Sequence, residues 1–149
     1  MTMMHTPDEE KVFQVEKLLR VMNKLVRRRS RRILGEFGIT PPQFEALLAV
    51  REHGEITVGD LSNRLYLAYS TTTDLVDRME RNSLVERIRD ENDRRVVRLR
   101  ILERGQEMLR EAMLARRRYL GSVLGKMTAS ETDVLVTALS VLHSHMVAE

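Results

Sequence analysis

Between Thr57 and Gly105 the hydrophobic spacing changes from that of a helix to that of a strand, and this constrains the fold more than any other feature of the chain. Thr57 suits a helix N-cap, and Val58, Leu61 and Leu65 follow at helical spacing. A break comes at Tyr66–Tyr69. Ser70 is the expected N-cap of a second helix over Thr71–Arg81, with Leu75, Val76 and Met79 as its apolar stripe. After Asn82 and Ser83, Leu84–Arg89 reads as a strand, Asp90–Arg95 as a polar turn and Val96–Leu102 as the β-branched return strand. Two short helices joined by a tight turn fit a DNA-reading helix-turn-helix, and a charged hairpin behind them fits a wing.

Helices flank this stretch on both sides. Thr6 or Asp8 can cap a long helix from about Pro7 to Leu34, ended by Gly35 or Gly38. Its stripe is Val12, Val15, Leu18, Leu19, Met22, Leu25, Val26 and Ile33. Lys24, Arg27, Arg28, Arg29, Arg31 and Arg32 form a dense basic block within it. That block reads either as a solvated face or as a phosphate-facing patch. Thr40-Pro41-Pro42 starts a helix over Pro42–His53 that Gly54 stops, and Glu55-Ile56 can add a short strand to the wing sheet. A further helix is expected from Glu103 to about Lys126, and a last one, capped by Thr128 or Ser130, to about Met146. The fold expected is mostly α with a small β wing: a winged helix-turn-helix over about 40–102, with long helices over about 8–36 and 103–146, in a single domain of 149 residues. The long helices carry more apolar stripe than so small a winged domain can cover, which points to a two-fold homodimer.

Composition narrows the function. The chain has 25 Lys and Arg against 22 Asp and Glu, a modest basic excess that permits a nucleic-acid partner. Six aromatic residues and no Trp offer few stacking platforms for single strands. Without cysteine there is no disulfide, thiol catalysis or thiol redox sensing. No apolar run approaches the ~20 residues of a membrane span, and MTMMHTPDEEK lacks the basic-then-apolar pattern of a secretion signal, so a cytoplasmic protein with no membrane contact is expected. No Gly-rich phosphate loop, nucleophile elbow or HExxH is present, so no enzyme and no cofactor are expected. His5 lies in the N-terminal tail, and His143 and His145, two apart on a helix, point to different faces; no metal site is expected.

The order of these elements carries a resemblance. The run LSNRLYLAYSTTTDLVDRMERNSLVERIRDENDRRVVRLRILERG resembles the winged helix of the MarR family of bacterial transcription regulators. Asp93-Arg94-Arg95 after an acidic loop matches the family's Asp-x-Arg wing, Leu102-Glu103-Arg104-Gly105 its Leu-Thr-x-x-Gly, and Leu84-Val85-Glu86-Arg87 its first wing strand. The resemblance spans essentially the whole chain, because the flanking helices sit where the family places its dimerisation helices. It implies a sequence-specific double-stranded DNA-binding repressor, acting as a homodimer on an inverted-repeat operator and relieved by a small, frequently anionic aromatic effector. The ligand site itself is unknown.

On the helix-turn-helix geometry, Ser70, Thr71, Thr72 and Thr73 occupy the first turn of the recognition helix, where small hydroxyls reach base edges or phosphates. Arg78 either meets a phosphate or pairs with Asp74 or Asp77. By the family resemblance, Arg94 and Arg95 belong to the wing, Arg95 reaches toward a minor groove and Asp93 braces it. Three positions depart from the family pattern. Ser83 stands where Gly usually precedes the first wing strand, a left-handed position that costs a non-glycine residue about 1 kcal/mol, and Asn82 is the alternative occupant. Glu103 replaces the usual capping Thr, and Asp74 replaces a residue that is often basic. The competing reading is a winged-helix protein-interaction module or ligand-binding scaffold that does not bind DNA.

Overall fold

A computed structural model describes residues 4–148. It divides into two compact units, residues 1–112 and 113–149. The element order is α1 (Glu9–Glu36), α2 (Pro41–His53), β1 (Ile56–Thr57), α3 (Val58–Leu65), α4 (Tyr69–Arg81), β2 (Val85–Arg89), β3 (Val97–Ile101), α5 (Glu103–Leu124) and α6 (Ala129–Val147). The molecule is mostly helical, with one small antiparallel sheet in the order β1-β3-β2.

Local chemistry explains most boundaries. Asp8, not Thr6, caps α1 by accepting from Glu10 N–H at 3.0 Å. Thr40 and Gln43 form a reciprocal capping box at the start of α2, with Pro41 already in the helix. Thr57 caps α3 through Asp60 N–H at 3.0 Å. Thr128, not Ser130, caps α6 in a second capping box with Glu131, whose carboxyl is held below its ordinary pKa chiefly by the Thr128 backbone N–H.

Helices α1, α3 and α4 finish alike. In each, the chain turns back so that two successive N–H groups bond carbonyls of the last helical turn: Gly38 to Gly35 and Ile39 to Leu34, Tyr66 to Asn63 and Leu67 to Ser62, Ser83 to Glu80 and Leu84 to Met79. The pivot takes a left-handed conformation, at φ 73° for Gly38, 53° for Tyr66 and 59° for Ser83. Gly35 therefore does not end α1. Ser83, not Asn82, is the left-handed residue before the wing; Asn82 has φ −88°. The reason lies in packing: Leu84 is buried and its carbonyl accepts from Leu102 N–H at 3.0 Å, so the pivot must directly precede it.

The core of the first unit gathers Leu34, Phe44, Leu47 and Val50 with Leu61, Val76, Met79, Leu84, Val85, Leu99 and Leu109, all essentially sealed from solvent. Ile56 opposes Leu99 across β1 and β3, and Val85 opposes Ile101 across β2 and β3. Gly105 is buried at the start of α5, where a Cβ would collide with the Leu84 carbonyl. Glu103 is the first residue of α5, an acidic residue in a first helical turn rather than a cap.

The apolar stripe of α1 stays open from Val12 to Val26, and only Ile33 and Leu34 are buried. In the second unit α6 has no buried residue, and Val134, Val136, Leu139 and Val141 stand exposed. No helix among the described residues is long and apolar enough to cross a membrane.

Candidate nucleic-acid interface

Helices α3 and α4 are linked by the tight turn Tyr66–Ala68, and the β2–β3 hairpin follows α4 directly. Helix α4 starts one residue before the expected cap. Ser70 is inside the helix, and the N-cap is Ala68, which makes no side-chain capping bond.

The face that α4 turns inward is Thr72, Val76 and Met79, spaced i, i+4 and i+7. Thr72 is 0% exposed and its hydroxyl donates to the Ala68 carbonyl at 3.1 Å. The expectation that Thr72 meets DNA is corrected: its side chain is part of the core, and its one hydroxyl hydrogen is already spent. Ser70 and Thr71 are exposed, and Thr73 is half-buried. Asp74 and Arg78 are exposed on the same helix.

Asp77 pairs with Arg87 rather than with Arg78. The Arg87 guanidinium reaches Asp77 at 2.7 Å and Glu80 at 3.1 Å, and donates to the Thr73 carbonyl at 3.5 Å. Glu80 also accepts from Arg87 N–H at 3.0 Å. One arginine of β2 is thereby tied to three points along α4, which sets the wing relative to the recognition helix. Sequence reading missed this role, since Arg87 is 14 residues from Thr73 and looks like any outward strand residue. A second set of ions crosses the sheet: Arg100 reaches Glu55 at 2.7 Å and Glu86 at 3.4 Å, and Arg98 reaches Asp90 at 3.4 Å. Glu55 raises the Arg100 pKa further, so this cation is permanent.

Two carboxylates organise the hairpin tip. Asp90 accepts from Asn92 N–H at 2.8 Å and Asp93 N–H at 3.3 Å, and these backbone bonds, aided by Arg98, hold its pKa below the ordinary value. Asp93 accepts from the Arg95 guanidinium at 3.2 Å and from Arg95 N–H at 3.0 Å, and both lower its pKa. Arg95 is nevertheless 91% exposed. Its head is aimed by Asp93 while remaining in water. Arg94 is exposed and has no ion pair among the described residues.

Outside the helix-turn-helix, Arg20, Asn23, Lys24, Arg27, Arg28 and Arg31 line an open groove along α1, so most of the basic block is solvent-facing. His53 is exposed beside Glu55, Asp60 and Arg64. No group of three or more His, Cys, Asp or Glu among the described residues is placed to hold a metal ion.

This geometry can be set against known proteins. The family model described as MarR family matches residues 39–97, from the start of α2 to the return strand of the wing. The structure of a MarR family protein from Bacillus stearothermophilus superposes with a TM-score of 0.88, at 48% sequence identity over 95% of this chain and 99% of that one. The chain belongs to the MarR family. Another MarR-like relative, the HTH-type transcriptional regulator YsmB of Bacillus subtilis (strain 168), is 42% identical over 92% of this chain and 94% of its own length. The HTH-type transcriptional repressor MdtR of the same organism is 29% identical over 63% of this chain and 61% of its own. This chain is a winged helix-turn-helix transcription regulator of that family.

Proposed function

We propose that this MarR-family regulator binds an inverted-repeat operator as a homodimer and represses transcription from it. Helix α4 enters the major groove with Ser70, Thr71 and Thr73 at its leading turn, and Arg78 faces phosphate. Arg94 and Arg95 extend from the wing toward the flanking minor groove, where an arginine reads groove width and negative potential more than base identity. The observation that carries the reading is Arg95: a wing cation aimed by Asp93 yet left almost wholly in solvent. Such an arginine adds little to folding and is pre-organised for an anion outside the chain. Repression is the activity named for MdtR, and it is transferred here as part of the proposal.

The exposed apolar residues of α1 and of α6 support a dimer, since each helix leaves bare a face that a second copy can cover. Dimerisation through residues of about 8–36 and 103–146 would set two recognition helices about 34 Å apart on one side of the duplex. Relief of repression by a small anionic aromatic effector completes the proposal. An effector can act only by binding the DNA-competent and incompetent states with different affinity. No catalytic step is assigned to the chain, and its proposed site of action is the cytoplasm.

Selection of bound duplexes from a random DNA pool at near-physiological salt tests the proposal. The expected result is enrichment of an inverted repeat with half-sites one helical turn apart. Retention of DNA without any enriched sequence would mean backbone-only binding, and no retention would return the chain to the protein-interaction reading.

A further inference from the structure

From residue 27 to residue 112, two large apolar side chains stand exposed among the described residues: Tyr66 at 96% and Tyr69 at 61%. Tyr66 lies in the short connection that leads into α4, and Tyr69 is the first residue of that helix. The rest of that segment buries its large aliphatic and aromatic residues wholly or in part, so two exposed rings three residues apart are an exception that folding does not explain.

Tyr66, like Ser83 alone among the other described non-glycine residues, is also unusual in its backbone. It is the left-handed pivot that ends α3, at φ 53° and ψ 38°. The equivalent pivot of α1 is Gly38, the residue that adopts this conformation without a Cβ clash. Local stability favours glycine at position 66 as well. The tyrosine side chain recovers nothing by packing, because it is in water, and among the described residues no hydrogen bond or ion pair involves its phenol. A local choice that works against the fold, with no compensating contact, marks a residue retained for something outside the fold.

We propose that Tyr66 is a DNA-backbone contact whose phenol hydroxyl donates a hydrogen bond to a phosphate beside the major-groove base pairs faced by α4. This rests on the reading that α4 enters the major groove. A phenol suits such a contact, because it donates to phosphate oxygen without carrying charge, and its rigid ring delivers the hydroxyl roughly 6 Å from the backbone at little entropic cost. Tyr69, exposed at the first turn of α4, presents a second ring to the same stretch of backbone. The left-handed turn holds Tyr66 out of the α3 helix, and so away from the protein surface that a helical residue would lie along.

The test uses full-length protein and the duplex enriched by selection. Tyr66→Phe removes only the hydroxyl, and Tyr66→Gly also relieves the strained pivot. Both variants are expected to lose roughly tenfold in operator affinity, the usual effect of a lost hydrogen bond to a charged group. The slope of log affinity against log salt should stay unchanged, because no cation has been removed. Tyr66→Gly should meanwhile melt about 2–4 °C higher than the parent, so lower affinity cannot be ascribed to misfolding. Replacing the contacted phosphate with an uncharged methylphosphonate should weaken the parent and leave Tyr66→Phe almost unaffected. Parent-like affinity of Tyr66→Phe overturns the assignment while leaving the operator reading intact. A parent that enriches no duplex overturns both.

Discussion

Residues 39–112 and helix α1 draw on the same kinds of apolar side chain and use them in opposite ways. In the first, Phe44, Leu47, Leu61, Val76, Met79, Leu84 and Leu99 close on one another and leave almost no surface. In the second, Val12, Val15, Leu19, Met22 and Val26 form an equally regular stripe that stays in solvent. Periodicity therefore identifies an element and the face it offers. It does not identify what covers that face. A compact winged unit completes its own core, whereas a helix of 28 residues with two buried positions leaves its stripe open, which is the face assigned to a second copy in the proposal above.

The largest effect that would test this contrast is in the closed core. Phe44→Ala is expected to remove about 3–5 kcal/mol of stability, seen as a lower urea midpoint, because the ring is sealed and its removal leaves a cavity. A loss below about 1 kcal/mol would show that residues 39–112 do not depend on their own packing. On the open side, Leu19→Glu combined with Met22→Glu should leave the helical content of the chain unchanged and raise the dimer dissociation constant at least a hundredfold, given roughly 1.5–3 kcal/mol for each buried apolar side chain. Sedimentation across a concentration series reads this directly. An unchanged association state would break the contrast, since the stripe would then be plain surface.

Arg95→Ala probes a residue that neither packs nor needs covering. Operator affinity should fall by roughly ten- to a hundredfold, the range for a charge-assisted hydrogen bond, while the melting temperature moves by less than about 1–2 °C. Equal affinity for variant and parent would remove the wing tip from the interface. The smallest effect concerns pH. Asp90 and Asp93 both titrate below their ordinary value in the folded wing, through backbone N–H donors in the first case and Arg95 in the second. A carboxyl with a lowered folded pKa stabilises fully above its unfolded value, about pH 4, and loses that contribution as pH falls through the lowered one. Amide exchange at the hairpin tip, 90–96, should thus show the same protection from pH 8 to pH 5, after correction for intrinsic rates, and a loss only in acid. Loss between pH 7 and pH 5 would mean that other groups hold the tip.

Much of the architecture was open to reading from residues alone. Thr40-Pro41-Pro42 and Thr57 are local start signals, and each begins a helix where its chemistry says, while the structure chooses Thr128 over Ser130 for α6. The charged hairpin stood out because its alternation differs from the helical spacing around it. Thr72 was misplaced through its polarity. It extends the spacing of Val76 and Met79 by one turn, a signal present in the sequence but masked by a hydroxyl that the Ala68 carbonyl satisfies internally. The exposed hydroxyls of Ser70 and Thr71 and the half-buried Thr73 leave the leading turn of α4 narrower than its run of four polar residues suggests.

Sequence by itself determined the order and type of the elements, the caps of α2 and α3 and the resemblance to the family, because those depend on patterns along the chain. Tertiary structure decided three things. It made Ser83 the left-handed pivot, since Leu84 had to be buried with its carbonyl on Leu102. It began α4 at Tyr69 with no side-chain cap, which puts Ser70 inside the helix. It tied Arg87 to Asp77, Glu80 and the Thr73 carbonyl. The first and the third join groups on different elements, and such pairings are set by the closing of the core, which no local pattern encodes.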